Sequence, residues 1–178
     1  MSIGTGHSIW IVPPRASKAF GRLKRLINEL SSTYGTAEFD PHVTLIGGVG
    51  ADELHEKAQQ LASRLSEFAL TLGTLGTHGV FFRQLFAEVI PTRHVSGAHA
   101  AACEVLALEQ QPYSPHLSLL YGDVPGNHVA EEAAPLIRAA GVIETTFLAS
   151  NLELWRTQGP VDAWRLLATY PLHSQERQ

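Results

Sequence analysis

The run His7–Val12 is almost wholly apolar or β-branched and stops at Pro13-Pro14, whose nitrogens carry no ladder donor, so it predicts a first strand. From Ser17 the period changes. Phe20, Leu23, Leu26, Ile27 and Leu30 recur at helical spacing while Arg22, Lys24, Arg25 and Glu29 fill the other face, predicting an amphipathic helix that ends near Gly35. His42–Ile46 reads as a second strand running into a Gly47-Gly48-Val49-Gly50 turn. After Asp52, taken as the N-cap, Leu54, Ala58, Leu61, Ala62 and Leu65 form one stripe of a second helix, and Phe68–Leu75 is a third strand.

The order then begins again. A strand over Leu85–Ile90 ends at Pro91, a helix over Gly97–Leu108 carries Ala98, Ala101, Val105 and Leu108, and His116–Tyr121 is the next strand. Asn127 is placed to cap a further helix, in which Val129, Ala133, Leu136, Ile137 and Ala140 share a face and Gly141 falls where a left-handed C-cap belongs. Strands near Ile143–Leu154 and Ala163–Leu172 close the chain. Both halves repeat strand, helix, strand, helix, strand, which predicts a duplicated α+β lobe without extended identity between the copies.

Composition narrows the functional classes. The 178 residues suffice for one domain, or two small lobes sharing a core, and 44% hydrophobic with 17% charged content describes an ordinary globular interior. A formal net charge of -4 offers no broad basic field for long nucleic acids, although a small anionic ligand is compatible with it. The single cysteine, Cys103, excludes an intrachain disulfide and paired-cysteine zinc sites, and the thiol is expected to be a buried, inert group. With no basic leader before a long apolar core and no membrane-spanning apolar run, the expectation is a soluble, cytoplasmic monomer.

Two segments stand at the same place in the two halves: Pro41-His42-Val43-Thr44-Leu45 and Pro115-His116-Leu117-Ser118-Leu119. Two such Pro-His-apolar-hydroxyl-apolar matches arise by chance on the order of once in ten thousand such compositions. In a strand, residues two apart share a face about 7 Å from each other, so each histidine is expected beside a hydroxyl, while Val43, Leu45, Leu117 and Leu119 turn to the core. If the two polar faces meet across a cleft, the set suits in-line phosphoryl chemistry. One neutral imidazole takes a proton from water, one imidazolium protonates the departing ribose oxygen, and Thr44 and Ser118 bind the non-bridging phosphate oxygens. No metal or cofactor is expected. His7, His55, His78, His94, His99, His128 and His173 have no repeated context and are assigned no catalysis. Trp10 and Phe82, or its neighbour Phe81, are candidates for stacking on a base, with plain core packing carrying equal weight for each. Tyr121 has the wrong parity for the His116 face of a regular strand, and reaches the site only if the chain turns or bulges at Tyr121-Gly122.

At these residues the chain resembles the two-histidine phosphoesterase superfamily, whose signature is a pair of His-x-[Ser/Thr]-x motifs. Within it, SIWIVPP, FDPHVTL and SPHLSLLYG look most like the cyclic phosphodiesterases of the plant and yeast type. The resemblance implies an α+β bilobal fold in which two antiparallel sheets face each other across a central water-filled cleft, with helices packed outside. The lobes would span approximately 1–80 and 81–178 of one domain, with strand exchange between them allowed. It also implies hydrolysis of nucleoside 2′,3′-cyclic phosphates to 2′-phosphates and of ADP-ribose 1″,2″-cyclic phosphate to the 1″-phosphate, a small cyclic phosphate as partner, and a place in RNA or tRNA metabolism. His42, Thr44, His116, Ser118 and Tyr121 match the family's site. Plant members carry disulfides that this chain cannot copy. The competing readings are an RNA 2′,5′-ligase-like enzyme acting on RNA ends, which the acidic balance disfavours, and a nucleotide-binding module without turnover.

Overall fold

The computed structural model describes residues 4–124 and 128–174. Eight strands and four helices follow one another as β1 His7–Ile11, α1 Lys18–Tyr34, β2 Val43–Val49, α2 Leu54–Arg64, β3 Phe68–Gly76, β4 Leu85–Val89, α3 Arg93–Val105, β5 His116–Leu120, α4 Val129–Ala140, β6 Thr146–Ala149, β7 Asn151–Arg156 and β8 Arg165–Pro171. Short 3₁₀ turns at Phe81–Arg83 and Val161–Ala163 precede β4 and β8. None of the described helices is long and apolar enough to cross a membrane.

The fold is α+β, and every strand pairing is antiparallel. The strands form one curled ladder in the order β6-β3-β4-β5-β2-β1-β7-β8. This differs from the expected pair of separate sheets. The join is the β2–β5 pairing, whose register is carried by Val43 opposite Leu117, the apolar residue after each motif histidine. In the same order β3 pairs with β4, and β7 pairs with β1.

Local chemistry accounts for most element ends. Ser17 Oγ accepts from the Phe20 amide at 3.1 Å, and Gly35 closes α1 in the left-handed conformation at φ 65°. Thr92 does the same for α3 by accepting from Val95 N, so that helix begins four residues earlier than its apolar stripe announced. Glu53, not Asp52, is the N-cap of α2 and makes no side-chain capping bond. Asn127 lies outside the described residues; His128 stands at the α4 N-cap position, and Gly141 ends that helix at φ 59° as expected. Gly47 and Gly48 belong to β2 itself, and the span Ile143–Leu154 divides into β6 and β7 around Ser150.

Two apolar clusters divide the interior. The larger holds Ile9, Ile11, Leu23, Leu26, Leu30, Val43, Leu45, Leu117 and Leu119, all at most 1% exposed, beneath the helices. Val43, Leu45, Leu117 and Leu119 therefore face the core as the alternation predicts. The smaller is aromatic and lies on the other side of β1: Trp10, Phe39, Tyr121 and Trp164 with Val12, Ile27 and Val161. That second cluster backs His42.

Candidate active site

His42 stands immediately before β2 and His116 opens β5, on the antiparallel strands joined by the Val43–Leu117 pair. Both line one cavity of about 280 Å³, together with Trp10, Thr44, Phe82, Arg83, Tyr121 and Trp164. Its rim adds Thr5, Ser8 and Thr157, with Gly4 and Gly48 supplying backbone. No carboxylate is among the lining residues. Among the described residues no group of three or more His, Cys, Asp and Glu side chains is arranged to hold a metal ion.

Each histidine is fixed by the same local device. His42 Nδ1 donates to the Asp40 carbonyl at 2.6 Å, and His116 Nδ1 donates to the Ser114 carbonyl at 2.9 Å. A proton held on Nδ1 leaves the Nε2 lone pair of the neutral ring for the site. In His42 that nitrogen accepts from the Tyr121 hydroxyl at 3.2 Å. Arg83 Nη2 donates to the same Ser114 carbonyl at 3.2 Å, which leaves it 3.2 Å from His116 Nδ1, a contact between two donors.

The two imidazoles differ in surroundings. His42 is 3% exposed, with Trp10 flat on its ring and Phe39 edge-on. Burial first, and the charge of His116 after it, bring its pKa down to about 4 against the opposing effects of the Asp40 carbonyl and carboxylate. His116 is half-buried and also shifted down, first by burial and then by Arg83 and His78, with the Ser114 carbonyl opposing. Tyr121 stays a phenol, because burial raises its pKa strongly.

The predicted site residues separate into three groups. His42, Thr44, His116, Tyr121, Trp10 and Phe82 line the common cavity. Thr44 Oγ1 has no hydrogen-bond partner among the described residues. Tyr121 lines the cavity, and the strand irregularity before it falls at Leu119 rather than at Tyr121-Gly122: Leu85 pairs with Leu120 but Phe86 with Ser118, so one residue of β5 is extra. Ser118 stands apart. It is 3% exposed, outside the cavity lining, and gives its hydroxyl proton to the Phe82 carbonyl at 3.1 Å. Phe81 faces a neighbouring groove lined by Tyr34, Thr36 and Val161. Trp10 is 2% exposed, stacked by His42 at 3.5 Å and by Trp155 at 4.5 Å, so its ring face is taken up by protein and offers no platform for a base. Cys103 is buried, with His99 Nε2 3.7 Å from its sulfur.

Sequence reasoning missed Arg83, Trp164 and the Ser8–Thr157 hydroxyl pair, whose oxygens are 2.8 Å apart. Arg83 carries no local signal beyond its place after Phe81-Phe82. For Trp164 a signal was available: the chain has three tryptophans, and all three meet in one cluster, Trp155 stacked on Trp10 at 4.5 Å and Trp164 edge-on to it at 5.7 Å.

Known proteins match this chain closely enough to classify it. The family model described as cyclic phosphodiesterase-like protein matches residues 5–172. A protein of Phaeosphaeria nodorum named 2′,3′-cyclic-nucleotide 3′-phosphodiesterase is 28% identical over 163 residues, covering 82% of this chain and 79% of its own. The Arabidopsis thaliana cyclic phosphodiesterase is 30% identical over 125 residues, 66% of each chain. Among solved structures, TT0787 of Thermus thermophilus aligns with a TM-score of 0.61 at 16% identity, covering 96% of this chain and 99% of that one. LigT of E. coli, crystallised with phosphate, aligns at 0.55 and 17% identity over 97% and 99%. The fold is thus that of the LigT-like proteins, and the chain belongs to the cyclic phosphodiesterase-like protein family.

Proposed function

We propose that this protein hydrolyses small cyclic phosphodiesters, opening nucleoside 2′,3′-cyclic phosphates to 2′-phosphates, with His42 as general base and His116 as general acid. The observation that carries the reading is the two imidazoles lining one cavity, each with Nδ1 committed to a backbone carbonyl two residues earlier. Burial keeps His42 neutral at physiological pH, which suits the base: water gives its proton to Nε2 after the Tyr121 hydroxyl yields that position. Hydroxide adds to phosphorus as the bond to the ribose 3′-oxygen breaks, and that oxygen takes the proton carried on His116 Nε2. His116 is the acid because it is the more exposed ring and lies where an anionic phosphate would raise its pKa. Thr44 binds a non-bridging oxygen, its hydroxyl being free to do so. Ser118 joins it by turning its hydroxyl from Phe82, and Arg83 adds positive charge beside the developing dianion.

On this reading the halves, approximately 1–80 and 81–178, act as lobes that each supply one imidazole. The strand order supports two such sides only with strands exchanged between the halves: β5, β4, β3 and β6 run outward on one side of the join as β2, β1, β7 and β8 do on the other, β3 crossing from the first half and β7 and β8 from the second. The named activities of the fungal and plant relatives support the substrate class.

The test is product identification. Purified protein in EDTA, given 2′,3′-cyclic nucleotides, is expected to yield 2′-phosphates, and His42→Ala and His116→Ala each to lose at least about a hundredfold in kcat while remaining folded. Saturable binding without product would instead make this a nucleotide-binding module. Activity that rises with oligonucleotide length and falls steeply with salt would favour RNA ends as substrate.

A further inference from the structure

Arg15 lies outside the cavity, yet it bridges two carboxylates that lead to the His42 ring. Its Nε and Nη2 donate to the two oxygens of Glu153 at 3.1 and 3.0 Å, and its Nη1 donates to Asp40 Oδ2 at 2.8 Å. One guanidinium thus ties β7 to the segment before β2. Lys24 completes the cluster from α1, 3.2 Å from Asp40 Oδ1 and donating to the Phe39 carbonyl at 3.0 Å.

Both carboxylates lead to His42. Asp40 does so through its backbone, whose carbonyl takes the Nδ1 proton at 2.6 Å. Glu153 does so through tryptophans: its Oε2 accepts from Trp155 Nε1 at 2.9 Å, Trp155 stacks on Trp10, and Trp10 lies on the His42 ring. The first path sets the tautomer and in-plane direction of the imidazole, and the second sets the plane. Glu153 is 4% exposed, a costly place for a carboxylate unless it is paired and hydrogen-bonded, as it is here.

We propose that Arg15, bridging Asp40 and Glu153, is the positioning residue of the His42 base: it aligns Nε2 toward the cavity and keeps the ring under Trp10, without touching substrate. The proposal rests on the assignment of His42 as base. Arginine is required because only its fork spans two carboxylates while binding one of them with two parallel bonds; a lysine at the same place is a single point charge.

The test compares Arg15→Met, Arg15→Lys and Trp155→Phe with the parent protein and with His42→Ala. In Arg15→Met, kcat is expected to fall by about 10- to 100-fold, as for a misplaced reacting group, with KM within about twofold. The acid limb of the kcat/KM profile is expected to move toward neutral pH, because a ring released from the stack regains water and its ordinary basicity. Arg15→Lys should recover part of kcat and part of the shift. Trp155→Phe keeps a stacking ring but removes the donor to Glu153, and should lower kcat by about threefold with the same direction of shift, which keeps the proposal testable should Arg15→Met fail to fold. If Arg15→Met and Trp155→Phe lose thermal stability but keep the parent kcat and acid limb, the network is only structural and the proposal falls. If His42→Ala itself keeps activity, the base assignment fails instead, and the two failures are told apart within one series.

Discussion

Trp10 lies flat against His42, their ring centroids 3.5 Å apart and their planes within 10°. Trp10 is held from β1, His42 from the loop entering β2, so the stack locks a buried imidazole between neighbouring strands. It covers one face of the ring with an apolar surface, which disfavours the imidazolium. Trp10→Leu removes that cover. The expected result is a loss of about 3 kcal/mol in denaturant unfolding, in the range of large aromatic truncations, and an acid limb of kcat/KM moved upward in pH. Trp10→Phe keeps a stacking ring and should show a smaller change in both.

The depressed pKa of His42 makes stability depend on pH with a definite sign. The unfolded chain binds a proton near pH 6.5, and the folded protein binds it only near pH 4. Between those values the unfolded state holds more protons, so stability is fully present above pH 6.5, falls as the pH drops toward 4, and levels off below. At about 1.4 kcal/mol per pH unit the loss is about 3 kcal/mol for this one group. Urea titrations from pH 7.5 to 4 should show the slope, and His42→Ala should flatten it. A parent protein with the same stability at pH 7 and pH 4.5 would contradict the burial of a neutral ring.

The helical stripes, the alternation of Val43, Leu45, Leu117 and Leu119, and the paired histidine motifs were legible because each is a local pattern with a single geometric meaning. What was not legible depends on contacts distant in sequence. The joining of both halves into one ladder rests on Val43 meeting Leu117, and nothing in either segment announces that partner. Trp10 read equally well as packing or as a base platform, because its role is set by His42 and by Trp155, 145 positions away. Ser118 shows the limit of motif reading: the periodicity expects it beside His116 on the cavity face, but it lies outside the cavity lining and the Phe82 carbonyl, 36 residues earlier, takes its proton.

Tyr121 donates to His42 Nε2, and that bond is available only to the neutral ring. Tyr121→Phe deletes the donor and keeps the aromatic body that stacks on Phe39 at 3.9 Å. Losing a hydrogen bond to the neutral form makes protonation easier, so the acid limb of kcat/KM is expected to shift upward. Stability should fall by about 1 kcal/mol, the usual net contribution of one buried hydrogen bond. Proton titration of the His42 ring by NMR in the two proteins checks the direction independently of turnover.

Thr44 and Ser118 occupy equivalent motif positions but should respond differently to loss of the hydroxyl. Thr44 lines the cavity with its hydroxyl unpartnered among the described residues, so Thr44→Val removes nothing from the folded protein and, under the proposed mechanism, one donor from the bound phosphate. Thermal stability is expected to stay unchanged while kcat/KM drops by about 10- to 100-fold, the scale of a lost transition-state hydrogen bond. Ser118→Ala leaves the Phe82 carbonyl without its donor in a buried setting, and should cost about 1 to 3 kcal/mol of stability. Its effect on kcat/KM should be the smaller of the two, because the proton already has a partner that substrate must outbid. Melting curves and kinetics on the two variants separate the roles. Equal losses of activity with no loss of stability in either would mean that both hydroxyls serve the phosphate alike and that the Ser118–Phe82 bond contributes nothing in the working enzyme.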